Sequence, residues 1–567
     1  MKRGKLTNTG IAAAVAALAV IAPAGAGAAT ITPNISTDEF TLDNGDCSLR
    51  EAVVSASGNG TVGGCDAHAS GAYGNDTIVL NLPVVNYGLT ISGAGEDDGL
   101  TGDLDVTGPV TVMAPPDFIE HHVITQTISD RLFHLQTAAS HLTLRRITLT
   151  GGSSGGPGGA INAPVPGNDI TLDNSAVANS SAAAGGGVRI EGNSSSLLAT
   201  DSTFTNNSAS TGGGLNAGPG ATVSLTRPFF FANKATSPFP NGQPSGGGIY
   251  SASANVTVVD GTFTQNEASA TDAAGDWGMG GAIHSNGTLN VEGTLFEENL
   301  AFSNGPAATS EEYGGALTLS NPGDTEVVNS TFYGNVAGNG NLPNESTRGG
   351  AIHRNGGELD VRFSTFLQND TSNVGADSLD NGNSGGQLTF SSNLFAATED
   401  VCAGDVDNTL ISEGYNAAPP DAHCEYDVTD DINITASAII VADPAVNGGP
   451  TRTIGLGPVG RGLDLVPFAE CATSSGGFDA RNYPRSGADI GAACDAGAYE
   501  RTVCNGVVQN DDFTVCPVLP PPPAAPVPQT QTQTPTLPVT TKKCKKAKKK
   551  KGKRKKRCGK KKKKKRS

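Results

Sequence analysis

Arg348, His353, Arg354, Glu358, Asp360 and Arg362 fall within one short stretch, the most charge-dense of the folded body of the chain. Carboxylates set beside imidazole and guanidinium groups can move protons, and a pair of carboxylates at a fixed separation can hydrolyse a glycosidic bond. With His284, these side chains are candidates for an outer ridge. A salt-bridged, solvated face uses the same residue types, and that plainer state is the expected one. A second group, Glu96, Asp97, Asp98, Asp103 and Asp105, is rich in the oxygen ligands that suit calcium. It lacks the D-x-D-x-D-G order of an EF-hand, so Asp97, Asp98, Asp103 and Asp105 form only a weak Ca2+ candidate, and no other cofactor is expected. No nucleophile elbow, phosphate loop, HExxH or Ser/His/Asp arrangement is present, and no catalytic residue is assigned.

The elements that must position these residues repeat. Two glycines, a small or polar residue and a branched aliphatic recur at Gly158, Gly185, Gly212, Gly246, Gly280, Gly314, Gly349 and Gly385, at intervals of 27, 27, 34, 34, 34, 35 and 36 residues. A second phrase, Phe-x-x-Asn, follows at Phe204/Asn207, Phe230/Asn233, Phe263/Asn266, Phe296/Asn299, Phe332/Asn335 and Phe366/Asn369, with Val177 at the Phe position of the first repeat. A fixed period of this size signals a solenoid. Within a unit, short extended runs are broken by Asn-Gly and Gly, and no 3.6-residue period appears. The pattern predicts an all-β, right-handed parallel β-helix with three strands per coil. At about 4.8 Å per rung, a dozen coils would make a rod of roughly 55–60 Å.

In that frame Ile161, Val188, Leu215, Ile249, Ile283, Leu317, Ile352 and Leu388 form an inward wall, and the Phe column forms a second. The double glycines suit corners, and the asparagines suit turns where amides can bond along the stack. Side chains alternate along a strand, so the next column must face outward. It comprises Asn162, Arg189, Asn216, Tyr250, His284, Thr318, His353 and Thr389. With Arg354 and Asp360, these are the candidate outer-ridge binding residues. No acidic pair repeats on neighbouring coils.

Composition agrees with a thin aliphatic core: 75 glycines in 567 residues, 5% aromatics and one tryptophan, Trp277. Lys2, Arg3 and Lys5, then the apolar run Ile11 to Ala22 and Ala26-Gly-Ala28, read as a signal peptide over residues 1–29. No later run is long and apolar enough to span a bilayer, so the mature chain is expected to be secreted without a transmembrane segment. Ten cysteines fit an oxidising compartment. Sequence neighbours suggest Cys47–Cys65, Cys402–Cys424, Cys471–Cys494, Cys504–Cys516 and Cys544–Cys558, although spacing alone does not fix connectivity.

Charge is divided. Lys542 to Ser567 hold 20 of the 38 basic residues and no acid, whereas residues 30–541 set 15 basic residues, including the single lysine Lys234, against all 55 acidic ones. An acidic body with a polycationic end implies different partners for the two, or an end that folds back on the body.

Ser48 and Glu51 have capping-box spacing and predict a short helix covering the open N-terminal end of the solenoid. The string Cys47-Ser-Leu-Arg-Glu-Ala52 resembles the signature of the bacterial surface proteins named for that motif, CSLREA, in which it precedes a β-helix. Asn75-Asp-Thr-Ile-Val-Leu80 and Thr101-Gly-Asp-Leu-Asp105 are also similar to that family. The Gly-Gly-Ala-Ile/Leu and Phe-x-x-Asn phrases resemble the repeats of chlamydial polymorphic outer-membrane proteins, within the pectate-lyase-like superfamily. The stretch from Gly448-Gly-Pro-Thr to Cys494-Asp-Ala-Gly-Ala-Tyr-Glu500 is similar to the choice-of-anchor region of such proteins. No barrel-forming sequence follows it, so autotransport is not expected. The superfamily resemblance implies a polysaccharide lyase or hydrolase as one alternative, but fold alone does not grant activity, and the expectation leans away from an enzyme.

The predicted organisation is a signal peptide (1–29), an N-terminal cap with the first coils (30–110), β-helix repeats (111–400) and a disulfide-bearing end (401–516). A Pro/Thr/Gln-rich linker (517–541) and the Lys-rich tail (542–567) follow. Leu537-Pro-Val-Thr-Thr541 resembles a sortase signal but lacks its glycine, so the tail is the expected anchor, through an anionic wall or envelope polymer. Polycations also bind nucleic acid, but export disfavours that partner. The expected function is an adhesin or a glycan- or surface-binding rod. The alternatives are a carbohydrate-active enzyme and a passive envelope spacer.

Overall fold

The computed structural model describes residues 28–504 and 507–508, except 43, 84–85, 94, 119, 238–241, 271–276, 304–310, 321–322, 339–345, 372–375, 383–384, 397–400, 405–409, 420–423, 425–430, 434–442, 457–464, 486–492 and 501–502. The chain divides into two units, Met1–Ala525 and Pro526–Ser567, and every described residue belongs to the first. Residues 1–27 of the expected signal peptide, the linker and the tail therefore lie outside the described residues, as do the side chains of the Cys504–Cys516 and Cys544–Cys558 pairs.

Three long sheets of 14, 13 and 11 strands make the expected parallel β-helix. One coil shows the path: Ile283–Ser285 in the third sheet, Thr288–Glu292 in the first, Leu295–Glu297 in the second. Each strand pairs in parallel with its counterpart one coil away, as Ile283 does with Leu317, Val291 with Val327 and Phe296 with Phe332.

The corners explain the repeated phrases. Gly280 has φ +63°, and a Cβ there would lie 2.3 Å from the Ile283 carbonyl oxygen; one on Gly281 would lie 2.3 Å from the Gly315 carbonyl oxygen of the next coil. Both positions thus exclude any side chain. The Phe column is a stack of seven fully buried rings from Phe204 to Phe395, with neighbouring centroids 4.4–5.2 Å apart. Beside it runs the asparagine ladder. Asn266 Nδ2 donates to Asn299 Oδ1 at 3.0 Å and to the Phe230 carbonyl at 3.0 Å, while the Asn266 backbone N–H donates to the same Asn299 Oδ1 at 3.0 Å. The unit recurs from Asn207 to Asn369, so the buried amides are satisfied by their own repeats.

One repeat was misaligned in the sequence. Leu388 pairs with Leu359 and Thr389 with Asp360, in the first sheet. The eighth member of the third-sheet wall is Leu379, opposite Ile352, and the next residue out is Asp380, opposite His353. A Cβ on Gly385 would meet nothing within 4 Å, so the Gly-Gly phrase there is not the same corner.

The lengthened intervals are not loops alone. A fourth sheet of six short strands runs from Ser208–Ala209 to Asp370–Thr371, and a fifth joins Trp277–Met279, Glu311–Tyr313 and Ser346–Arg348.

The N-terminal end is closed by α1 (Leu49–Ser57), with both halves of the Ser48/Glu51 capping box formed. Disulfide Cys47–Cys65 ties its start, and Cys402–Cys424 and Cys471–Cys494 are also formed. Arg50 is fully buried on α1. It pairs with Asp38 and donates to the carbonyls of Gly99, Gly102 and Asp103, fastening the carboxylate-rich loop to the cap. α2 (Phe468–Ser474) belongs to a C-terminal segment that lies against the outside of the later coils. Thr451 donates to the Gly293 carbonyl, Arg485 to Asn329 Oδ1, and Gly497 N–H to the Ser392 carbonyl.

Candidate functional site

The column expected to face solvent is largely enclosed. Asn162, Asn216, His284, Thr318 and His353 are buried, and Arg189 and Tyr250 are half-buried. For Thr318 and His353 the reason is the added chain between coils. Tyr313, in the fifth sheet, stacks on His353 with ring centroids 4.5 Å apart, and its carbonyl accepts from Thr318 Oγ1. Tyr250 packs edge-on against His284, with centroids 5.3 Å apart. Burial, with a smaller contribution from His353, pushes His284 down to about 4, so its ring is neutral at pH 7. His353 Nδ1 lies 2.7 Å from Asp380 Oδ1, and both side chains are buried. Asp380, and not Thr389, is the cross-coil neighbour of His353, because Leu379 and not Leu388 continues the third-sheet wall.

The charge-dense stretch does not form one ridge. Arg354 is fully buried at a corner, where it donates to the Gly357 and Gly385 carbonyls and to Asn381 Oδ1. Asp360 and Arg362 point away from the core on the first sheet, where Arg362 pairs with Glu326 and sits 3.2 Å from Asp360. Burial, then Glu413, raises Asp360 to about 6. Thr389 is its neighbour one coil on, outside the third-sheet column.

The four expected calcium ligands also separate. Asp103 turns to Arg131 at 3.3 Å, and the Asp98 backbone N–H donates to Glu96 in an exposed turn. Asp97 and Asp105 converge instead with His134, whose place next to Asp105 in the third sheet only the strand register reveals.

The second sheet carries a different candidate. Its outward positions form two columns, Thr203, Phe229, Thr262 and Thr205, Phe231, Thr264. Adjacent coils read Thr-Phe-Thr, but this one reads Phe-Phe-Phe, so both outward hydroxyls are replaced by rings. Phe229 and Phe231 are partly exposed, and their rings lie parallel, 5.9 Å between centroids and 7° between planes. One coil beyond them stand Thr262 and Thr264, and Thr264 Oγ1 donates to Glu297 Oε2 on the next, where Arg452 pairs with the same carboxylate. From Leu295 onward this outer face is mostly buried, with contacts from the C-terminal segment such as Ala498 N–H to Thr365 Oγ1 at 2.9 Å. The ring pair thus sits at the boundary between an open shelf and a covered one. The spacing of the repeat places only the middle ring, Phe230, in the core, where it is fully buried, and gives no place to Phe229 and Phe231.

Compared with protein-family models, curated proteins and solved structures, the chain matches none.

Proposed function

We propose that this chain is an exported surface protein whose β-helix binds a glycan along the open outer face of the second sheet, with the Lys-rich C-terminal segment holding it to an anionic wall or envelope polymer. The observation that carries the reading is the Phe229/Phe231 pair. A soluble solenoid gains nothing by placing two parallel rings outward where its neighbours place threonine. An aromatic face flanked by hydroxyls suits a pyranose ring, which offers apolar C–H faces and equatorial hydroxyls together. The Thr shelf repeats at the strand spacing of about 4.8 Å, which suits an extended chain over a compact small molecule. The CSLREA and choice-of-anchor resemblances, the apolar N-terminal leader and the disulfides support export to a cell surface.

The test is a polysaccharide panel presented to the mature chain, with binding and product release both scored. Phe229→Ala and Phe231→Ala should each weaken retention about tenfold, the equivalent of 1.4 kcal/mol, which is within reach of one aromatic contact. Retention unaffected by both substitutions would remove the second sheet as the binding face. Release of cleaved product would favour a carbohydrate-active enzyme instead.

A further inference from the structure

Asp97 and Asp105, from one loop and the strand it enters, and His134, from the neighbouring strand of the third sheet, offer one carboxylate oxygen each and a ring nitrogen within 4.8 Å of one another. His134 Nδ1 lies 3.5 Å from Asp105 Oδ1 and 3.7 Å from Asp97 Oδ1. That nitrogen is shielded from solvent and makes no hydrogen bond. Asp105 is buried, with its other oxygen, Oδ2, accepting from the Gly99 N–H at 2.8 Å. The Gln136 amide is placed against both carboxylates: its Nε2 donates to Asp105 Oδ1 and, at 3.3 Å, to Asp97 Oδ1. An amide donor touching the same oxygens as the imidazole occupies the place a cation would take.

The surroundings carry an excess of negative charge. Asp103 and Asp130 are both buried beside this group; Arg131 pairs with Asp103, while Arg50, which holds the loop through its carbonyls, is paired with Asp38. Asp130 Oδ2 is buried without any hydrogen-bond partner, directed at the same loop, 2.5 Å from where a Cβ on Gly102 would stand. Buried carboxylates left without a counter-charge are costly, and a divalent ion would relieve them.

We infer that Asp97, Asp105 and His134 form a site for a divalent transition-metal ion such as Zn2+. An imidazole with two carboxylates selects Zn2+, Co2+ or Mn2+ over Ca2+, which prefers an all-oxygen set of six to eight ligands. A turn of the Gln136 amide would present its oxygen as a fourth ligand, completing a tetrahedral set. The ion would join the loop held by Arg50 to the third sheet, and so staple the N-terminal cap to the first coils.

The test titrates the full mature chain with Zn2+ alone, and separately with Co2+, Mn2+ and Ca2+, following heat release and the visible spectrum of the Co2+ form. Asp97→Asn changes a largely exposed side chain and should leave the fold intact, which the far-ultraviolet spectrum checks. His134→Gln removes the nitrogen ligand. The expected result is one saturable Zn2+ site per chain, weakened at least about tenfold by either substitution, with a Co2+ spectrum that changes in both. Saturation that is unchanged in both variants, the absence of saturable Zn2+ binding, or a preference for Ca2+ would each overturn the assignment.

Discussion

The guanidinium of Arg485 lies 4.3 Å from the centroid of the Phe363 ring, and both side chains are fully buried. Phe363 stands at the corner between the first and second sheets with φ +48°, where other coils carry Arg146, Asn174, Asp201, Arg227 or Asp260 in the same left-handed conformation. An aromatic residue is a poor choice for that backbone region and for an exposed corner. It is accommodated because the C-terminal segment covers it: Val466, Cys471, Cys494 and Ala496 pack on the ring. Arg485 then makes bonds to the carbonyls of Phe478, Asp495 and Gly497, to Asn329 Oδ1 and to Glu500. One side chain thus joins the C-terminal segment to the corner of the coil it crosses.

Arg485→Met keeps much of the volume and removes the donors. Taking one partner from a buried ionic network costs about 3–5 kcal/mol. The loss should be local, because a solenoid couples mainly to its nearest neighbours. Hydrogen exchange should therefore rise first at residues 466–485 and 493–500 while the strands around Phe263 stay protected. Uniform loss of protection would mean that the segment is not held separately.

Stability should depend on pH in an unusual direction above pH 6.5. Burial, then Asp495, raises Glu500 to about 8; burial, then Glu292, raises Asp260 to about 7; and Asp103 also reaches about 7. The folded chain therefore keeps protons that the unfolded chain releases from about pH 4 upward, so the acids' contribution falls as pH rises from there and levels off once pH has passed about 7 for Asp260 and Asp103 and about 8 for Glu500. His284 acts oppositely: its folded value of about 4 lies below the ordinary 6.5, so stability is lost as pH falls between those values. Above 6.5 only the acids contribute. Thermal midpoints should fall from pH 6.5 to 8.5, by up to about 1.4 kcal/mol per pH unit for each group that titrates. Glu500→Gln should flatten that slope, and a slope left unchanged would remove Glu500 from the cause.

The β-helix was legible because its rules are local and repeated: a Gly-Gly corner, an alternating strand and an Asn turn announce themselves in every unit. The outer sites were not. Whether His353 meets solvent depends on Tyr313, forty residues earlier and one coil away, and the strand that carries Tyr313 breaks the repeat instead of following it. Leu388 shows the converse error, in which a local phrase matched the wrong corner because only strand pairing reveals register. His134 joined Asp105 for the same reason, since cross-coil neighbours about 29 residues apart leave no spacing rule to read. The cover over Phe363 comes from more than a hundred residues downstream, and no pattern within a coil encodes it.

Three substitutions weigh the two kinds of phenylalanine and the ladder between coils. Phe296→Ala removes a fully buried ring that stacks 5.2 Å from Phe263 and 4.8 Å from Phe332, and should cost about 3–5 kcal/mol in thermal or chemical denaturation. Asn266→Ala deprives the Asn233 backbone N–H and amide of their acceptor and the Phe230 carbonyl of its donor, at about 1–3 kcal/mol for each group left unpaired. Phe229→Ala, on the outward side of the same sheet, should shift stability much less, near the ±0.5 kcal/mol typical of surface positions. The comparison decides what the outward rings do. A Phe229→Ala loss as large as that of Phe296→Ala would make the pair part of the packing, and the glycan platform would lose its main support. A small stability change joined to weakened retention would mean that those rings serve a ligand and not the fold.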